Sequence, residues 1–263
     1  MTPQVTIPQT GTTQRAGTMK EDRTTRVLLA CGVVGPLLFI LALLIEGATR
    51  PGYSAWRTDG SYLALSNQGW EQIANFLACG ALCIAFAVGL QRRWRTGRAS
   101  VWGPRLVGFF GLGLLIAGVF VTDPGQGYPP GAPLNGGLQT WHGWIHGING
   151  LLLFNVVLPA ACFVLARRFA ADPQHRRWAT YSWLTGALIL VISLPINTIV
   201  VPFAEYFGLP VVEGLIQRVE IISGWAWIAL TALQLWREAR KAMPEEAPTR
   251  ISGSIIGTSS TTD

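Results

Sequence analysis

Two histidines and one aspartate stand where they could hold a metal ion. His142 and His146 are four residues apart, so on a continuous helix both imidazoles lie on one face. Asp123 precedes them in the chain and could supply a third ligand. A metal held in this way activates water, which makes a metal-dependent hydrolase one interpretation of the sequence. The pair lacks the adjacent glutamate of the zincin pattern, so its spacing alone has low specificity.

Polar side chains at a spacing of three recur at three places along the chain. Residues three apart share a face of a helix, so each pair presents both polar groups on one side. Ionisable groups placed in lipid cost about 2.5–3.5 kcal/mol each and therefore tend to face inward. We predict that the pairs form one polar cup. They are Gln72 with Asn75, His146 with Asn149, and Gln217 with Glu220.

This cup is the candidate ligand-binding site. We expect Arg50 and Arg218 to pair with anionic groups of a ligand. The acidic residues and His146 would hold the cup together or receive protons. No residue is assigned a catalytic role. The hypothetical ligand-binding residues are Glu46, Arg50, Asn75, Asp123, His146, Asn149, Arg218 and Glu220.

The elements that must position these residues are apolar helices. The 263 residues are 50% hydrophobic and only 13% charged, whereas a soluble domain carries about 25% charged residues. A helix needs roughly 20 apolar residues to cross a bilayer. We therefore predict an all-α integral membrane protein, a six-transmembrane-helix bundle. The predicted spans are residues 27–45, 72–90, 106–122, 145–165, 178–200 and 219–236.

The basic residues predict the orientation of this bundle. Three of the 20 Lys and Arg residues, Arg50, Arg57 and Arg218, fall on one side of the predicted spans, and the other 17 fall on the opposite side. Cytoplasmic loops are enriched in Lys and Arg, so both termini are expected in the cytoplasm and the cup at the outer face. Contacts with anionic lipid headgroups account for the net charge of +6, so no nucleic-acid partner is expected.

Outside the membrane domain, expected over residues 26–241, the chain has two polar tails. We expect disordered cytoplasmic tails at residues 1–25 and 242–263, because neither can bury enough apolar surface to fold. All four cysteines fall within predicted spans, which favours packing roles over disulfides. Pro159 and Pro195 lie inside spans and should distort them.

Short motifs at the ends of the spans resemble those of a known family. They are Glu46-Gly-x-x-Arg50-Pro-Gly-Tyr53-Ser54, Gly69-Trp70-x-Gln72-x-x-Asn75-Phe76, Phe120-x-x-Asp123-Pro124, Tyr128-Pro129-Pro130-Gly131, His142-Gly-x-x-His146-Gly and Gly214-Leu215-x-Gln217-Arg218. Over residues 27–240 the chain resembles the bacterial membrane family catalogued as domain of unknown function 998. After Arg57 it reads Thr-Asp-Gly-Ser-Tyr, which departs from the family pattern. The resemblance implies a multi-span protein of the bacterial cell membrane with no assigned biochemical activity.

These observations favour a non-enzymatic, multi-pass protein of a bacterial plasma membrane. We expect it to bind a small ligand or a lipid headgroup in the outer cup, as a carrier, sensor or accessory protein. Membrane lipids are expected partners, and no cofactor is expected. One alternative is a metal-dependent membrane hydrolase that uses Asp123, His142 and His146. Another is a structural partner in a membrane assembly.

Overall fold

The computed structural model describes residues 10–134, 139–207 and 212–241. Side chains are described from residue 23 onward, except at 195–198 and 204–205. Within these ranges the chain is all-helical and has no β-strand, which confirms the all-α part of the predicted fold class. The first nine residues and the tail predicted at 242–263 lie outside the described residues.

Eight α-helices follow one another along the described chain, and two of the junctions between them are π-helical. A π-helical segment, Leu153–Val157, joins α4 to α5, and a second, Ile192–Val200, joins α6 to α7. Short 3-10 turns lie at Gly60–Ala64 and Pro173–His175. The α-helices are α1 (Thr10–Thr49), α2 (Gly69–Arg93), α3 (Trp102–Val119), α4 (Trp141–Leu152), α5 (Leu158–Phe169), α6 (Arg176–Val191), α7 (Val201–Tyr206) and α8 (Glu213–Lys241).

Five helical segments are long and apolar enough to cross a membrane, and they match five of the predicted spans. The remaining predicted span, 178–200, is divided between α6 and the π-helical segment that follows it. Because α6 has only 16 residues, it is shorter than the roughly 20 that one crossing requires. The five segments are Arg23–Thr49, Gly69–Arg93, Trp102–Val119, Trp141–Phe169 and Glu213–Lys241.

Helix α1 extends into the tail predicted at residues 1–25. Helix α1 begins at Thr10, so residues 10–25 are helical where we expected disorder. This stretch contains no proline and several good helix formers, among them Gln14, Lys20 and Glu21. Once the apolar part of α1 is helical, extending it adds one hydrogen bond per residue without a new nucleation step. Low hydrophobicity therefore did not prevent helix formation here.

Aromatic side chains form the centre of the bundle, where α1, α3 and α8 meet. The ring of Trp225 on α8 stacks on Phe39 of α1, with centroids 4.7 Å apart, and meets the edge of Phe110 of α3 at 5.4 Å. Helices α2 and α3 approach closely, and a Cβ on Gly80 would lie 2.8 Å from the Gly111 carbonyl oxygen. Small residues permit such contacts between helices in lipid.

Both π-helical segments lie at the prolines that were predicted to distort their spans. Pro159 stands in the first turn of α5. It has no N–H to donate, and its ring crowds the carbonyl four residues earlier, so the hydrogen-bond ladder widens over Leu153–Val157. Pro195 lies within the longer segment, Ile192–Val200. Segments of this kind occur frequently at functional sites.

Candidate functional site

A cavity of about 440 Å³ lies among α1, α2, α3, α4, α8 and the two π-helical segments. One end is formed by side chains of the loops that precede α2 and α4, and we refer to this end as the mouth. The opposite end, the floor, is apolar. The mouth includes Asp59, Tyr62 and Gln126, and the floor includes Phe39, Phe76, Phe110, Phe154 and Trp225.

The three polar pairs at spacing three converge on this cavity. Five of their six members line it, and the sixth, Asn75, is buried behind Gln72 and bonded to it. Helices α2, α4 and α8 each bring one pair to the wall, because residues three apart share a helix face. The five lining members are Gln72, His146, Asn149, Gln217 and Glu220.

The amide of Gln72 has a hydrogen-bond donor without a partner. Asn75 Nδ2 donates to the Phe39 carbonyl oxygen at 3.4 Å and to Gln72 Oε1 at 3.1 Å. A carbonyl can only accept, so Phe39 fixes the orientation of the Asn75 amide and, through it, that of Gln72. Gln72 is fully buried, and its Nε2 has no partner among the described residues. Such a group costs about 1–3 kcal/mol, which an acceptor on a bound molecule would offset.

Two side chains of the wall present acceptor atoms. Asn155 Nδ2 donates to the Leu151 carbonyl oxygen at 2.9 Å, and its Oδ1 is buried with no partner in the described chain. His146 Nδ1 lies 2.8 Å from the Phe120 carbonyl oxygen. Because that carbonyl must accept, Nδ1 carries the hydrogen, and Nε2 of the neutral ring is left as an acceptor.

Glu220 is the most deeply placed acidic residue of the wall. Its side chain is buried and accepts a hydrogen bond from Ser193 Oγ, across from α8 to the second π-helical segment. Among the ion pairs of the described residues, none involves Glu220. A carboxyl group thus faces the cavity with a hydroxyl partner and without a basic one.

Arg50 lies outside the cavity wall. Its guanidinium contacts Glu46 at 3.3 Å and Glu71 at 3.0 Å, and donates to Ser66 Oγ at 2.7 Å. These contacts join the end of α1 to the start of α2, and both Arg50 and Glu46 are buried. The guanidinium is committed to side chains of this chain, so the expectation that it binds an anionic ligand finds no support in its position.

Arg218 is likewise committed to protein groups. It donates to the carbonyl oxygens of Gly214 at 2.8 Å and Thr58 at 3.1 Å, and to Tyr53 Oη at 2.5 Å. It does not line the cavity. Arg218 therefore fastens the loop before α2 onto α8, which is a positioning role rather than direct contact with a ligand.

Asp123 holds the segment that leads into α4, whose N-cap residue is Thr140. Its Oδ2 accepts from the backbone N–H groups of Gln139 at 2.7 Å and Thr140 at 2.9 Å, and its Oδ1 accepts from Thr140 Oγ1 at 2.6 Å. Burial raises the pKa of this carboxyl, but these hydrogen bonds outweigh burial and bring the pKa below its ordinary value. A Cβ at Gly143 would collide with the carboxylate. Asp123 thus orients the helix that carries both histidines.

The metal-binding alternative finds no complete set of ligands among the described residues. His142 and His146 both lie on α4, but their Nδ1 atoms face the carbonyl oxygens of Val121 and Phe120. Both Asp123 oxygens accept hydrogen bonds from the protein. Over the described chain, no group of three His, Cys, Asp or Glu residues could hold a metal ion. The hydrolase alternative therefore gains no support from these residues.

The cavity mouth contains residues that the sequence did not single out. Gln126 Oε1 accepts from the backbone N–H of Asp59 at 2.8 Å, and its Nε2 donates to Glu213 at 2.6 Å. Burial raises the pKa of Asp59 to about 6. Gln126 has a positive φ of 52° in a Gly- and Pro-rich turn. In the sequence, the position of Gln126 between two glycines indicates a tight turn, but nothing indicates the hydrogen-bond partners of its side chain.

The chain matches a known protein family. The family model described as Protein of unknown function (DUF998) matches residues 33–234. This range includes every described residue that lines the cavity. No curated protein and no solved structure matches the chain. The family resemblance carried by the sequence motifs is confirmed.

Proposed function

We propose that this chain, which belongs to the DUF998 family of proteins of unknown function, is a membrane protein that binds a small molecule in the outer-face cavity. The observation that carries the proposal is a cavity of about 440 Å³ with an aromatic floor and a polar wall. Ligand pockets are typically about 300–1,000 Å³ and combine apolar surface with a few polar groups. The unpartnered amide of Gln72 indicates that the bound molecule includes a polar atom.

We further propose that the chain crosses a bacterial plasma membrane six times. Helix α6 and the nine-residue π-helical segment after it would together make the sixth crossing. The 17 basic residues on one side of the spans favour a cytoplasmic location for both termini. In this orientation the mouth of the cavity faces outward, and a ligand enters from the outer face.

Binding, as a carrier, sensor or accessory protein, is the role that this cavity favours. The cavity is enclosed by α1, α2, α3, α4, α8 and both π-helical segments, so movement of one segment would alter its shape. The segments deviate from regular α-helix at the cavity itself, where Phe154 and Ser193 line it. Irregular backbone of this kind is tolerated at membrane depth where it lines a cavity.

Gly150 provides a direct test of binding. It lines the cavity, and a Cβ added there would meet no atom within 4 Å. The phenyl ring of Gly150→Phe should therefore occupy the cavity without a backbone clash. The measurement is mass spectrometry of small molecules and lipids that remain bound after purification in a mild detergent. We expect the wild type to retain one molecule and Gly150→Phe to lose it.

The control at the same position is Gly150→Ala. It adds one methyl group and should preserve retention, and the helix itself should gain about 0.5–1 kcal/mol from replacing glycine. Retention of the same molecule by Gly150→Phe, or its loss in both variants, would contradict binding in this cavity.

A further inference from the structure

We infer that the cavity takes an organic amine in its protonated, ammonium form, attached to an apolar body that carries one acceptor oxygen. This inference rests on the proposed binding function. It adds the charge and the shape of the ligand, neither of which follows from the existence of a cavity.

The charge follows from the ionisable groups around the cavity. Among the described residues, those that line the cavity include the acidic residues Asp59, Glu213 and Glu220 but no Lys or Arg. Arg50 and Arg218 are buried outside the wall and bonded to other protein groups. Charges of one sign in a cleft with apolar walls act together on a bound ion. The cavity therefore favours a cation and disfavours a carboxylate or a phosphate.

The two orphaned polar atoms of the wall define the functional groups more closely. Asn155 Oδ1 is a buried acceptor without a donor, so it suits an ammonium group that bears N–H rather than a quaternary one. Gln72 Nε2 is a buried donor without an acceptor. A hydroxyl, ether or carbonyl oxygen on the ligand would satisfy it. These atoms point to a ligand independently of the carboxyl groups.

The aromatic floor sets the apolar part of the ligand. Glu220 and Trp225 both line the cavity and are five residues apart on α8. At a rise of about 1.5 Å per residue, they are separated by roughly 7.5 Å along the helix. A ligand that reaches both carries its ammonium group and its apolar group about that far apart. The rings of Phe39, Phe110 and Phe154 complete the surface around the apolar group.

A phospholipid headgroup fits this site poorly, although some headgroups contain an ammonium. Its phosphate would enter beside carboxyl groups with no basic side chain in the described lining. Placing like charges together costs several kcal/mol in protein interfaces, so we assign the cavity to an amine without phosphate.

The test compares three probes of nearly equal shape and different charge: phenylbutylamine, phenylbutanol and phenylbutyrate. Affinities are measured by isothermal titration with the full chain in nanodiscs. We expect the amine to bind about tenfold more tightly than the alcohol, and the acid to bind least. Glu220→Gln keeps the shape of the side chain and should weaken amine binding about tenfold while leaving alcohol binding unchanged.

Glu238→Gln is the matched control, since Glu238 lies on the same helix and does not line the cavity. It should leave the affinity for all three probes unchanged. Asp59→Asn, at the mouth, provides a second variant if Glu220→Gln fails to fold, and it should also weaken amine binding selectively. Competition by phosphatidylethanolamine in the nanodisc should be undetectable.

Several results would overturn the inference. They are equal binding of the acid and the amine, an unchanged amine affinity in both carboxyl variants, a lack of binding by all three probes, or displacement of the amine by phosphatidylethanolamine. The retained-molecule experiment with Gly150→Phe decides the proposed binding function separately. A retained anionic or neutral molecule would preserve that function and reject the ammonium assignment.

Discussion

At the scale of single residues, the two buried arginines near the cavity mouth, Arg50 and Arg218, hold loops in place. Arg50 links the ends of two helices through Glu46 and Glu71. Arg218 has carbonyl and hydroxyl partners instead. A buried guanidinium needs several acceptors in a fixed geometry, and its planar fork provides five donors. Both residues therefore shape the cavity mouth without lining it.

Arg218→Ala should destabilise the folded protein by about 2–3 kcal/mol, because two carbonyl oxygens and the Tyr53 hydroxyl lose a charged donor. Arg218→Lys should recover less than half of this loss, since one ammonium cannot reproduce the fork. Thermal unfolding in detergent measures both effects. Arg57→Ala, at an exposed position in the same loop, is the control and should change stability by less than about 0.5 kcal/mol. Equal effects of Arg218→Ala and Arg57→Ala would contradict the positioning role.

At the scale of elements, the connection between α5 and α6 is fastened to α8 by one histidine. His175 Nδ1 lies 2.8 Å from Asp172 Oδ2, and Nε2 lies 2.6 Å from Glu238 Oε1. Only the protonated ring can donate from both nitrogens. Burial lowers the pKa of His175, but the hydrogen bonds to Glu238 and Asp172 outweigh burial and raise the pKa overall. We refer to these two contacts of His175, with Asp172 and Glu238, as the clasp. The clasp is strongest when His175 is charged.

This raised pKa gives the clasp a defined pH dependence. The folded protein binds the proton more tightly than the unfolded chain does, so the contribution to stability is complete below about pH 6.5. It is lost as the pH rises through the folded-state pKa of His175. We expect the melting temperature to fall by on the order of 2–4 °C from this source between about pH 6 and pH 9.

His175→Gln should abolish this part of the pH dependence, and so should Glu238→Gln. Melting curves of the wild type and both variants over the same pH range provide the measurement. Identical pH profiles for wild type and His175→Gln would show that the clasp contributes nothing to stability.

The position of helix α4 depends on Asp123, which the sequence places among the predicted ligand-binding residues. Asp123 satisfies backbone N–H groups just before Trp141, where the helix begins. A carboxylate at a helix N-terminus is also favoured by the helix dipole. The sequence singled out Asp123 but not its hydrogen-bond partners, because a carboxylate that holds a helix start and one that binds a ligand are both acceptors in a loop.

At the scale of the whole molecule, the proposed sixth crossing can be tested at the two ends of the segment that runs from α6 to α7. Ala171 precedes α6 and Phe207 follows α7, and both are exposed. If the proposed sixth crossing exists, Ala171→Cys should resist a membrane-impermeant maleimide in intact cells, and Phe207→Cys should react. Both variants are made in a protein that also carries Cys31→Ser. The buried residues Cys79, Cys83 and Cys162 remain and serve as internal negative controls. Labelling of both positions, or of neither, would contradict six crossings.

The sequence by itself determined the all-helical architecture, the family and five helices that are long and apolar enough to cross a membrane. Long apolar runs can satisfy their backbone hydrogen bonds in lipid only as helices, so composition and length were sufficient. Spacing also determined which polar residues share a helix face, as for Gln72 with Asn75 and Gln217 with Glu220.

Only the tertiary structure decided which polar groups line the cavity and which support it. Arg50 and Glu220 are both charged residues near helix ends in the sequence, yet one is enclosed by carboxylates and the other borders the cavity. Their roles depend on partners contributed by other segments, as with Ser66 for Arg50 and Ser193 for Glu220. Periodicity describes one helix at a time, whereas hydrogen-bond satisfaction depends on how helices pack together.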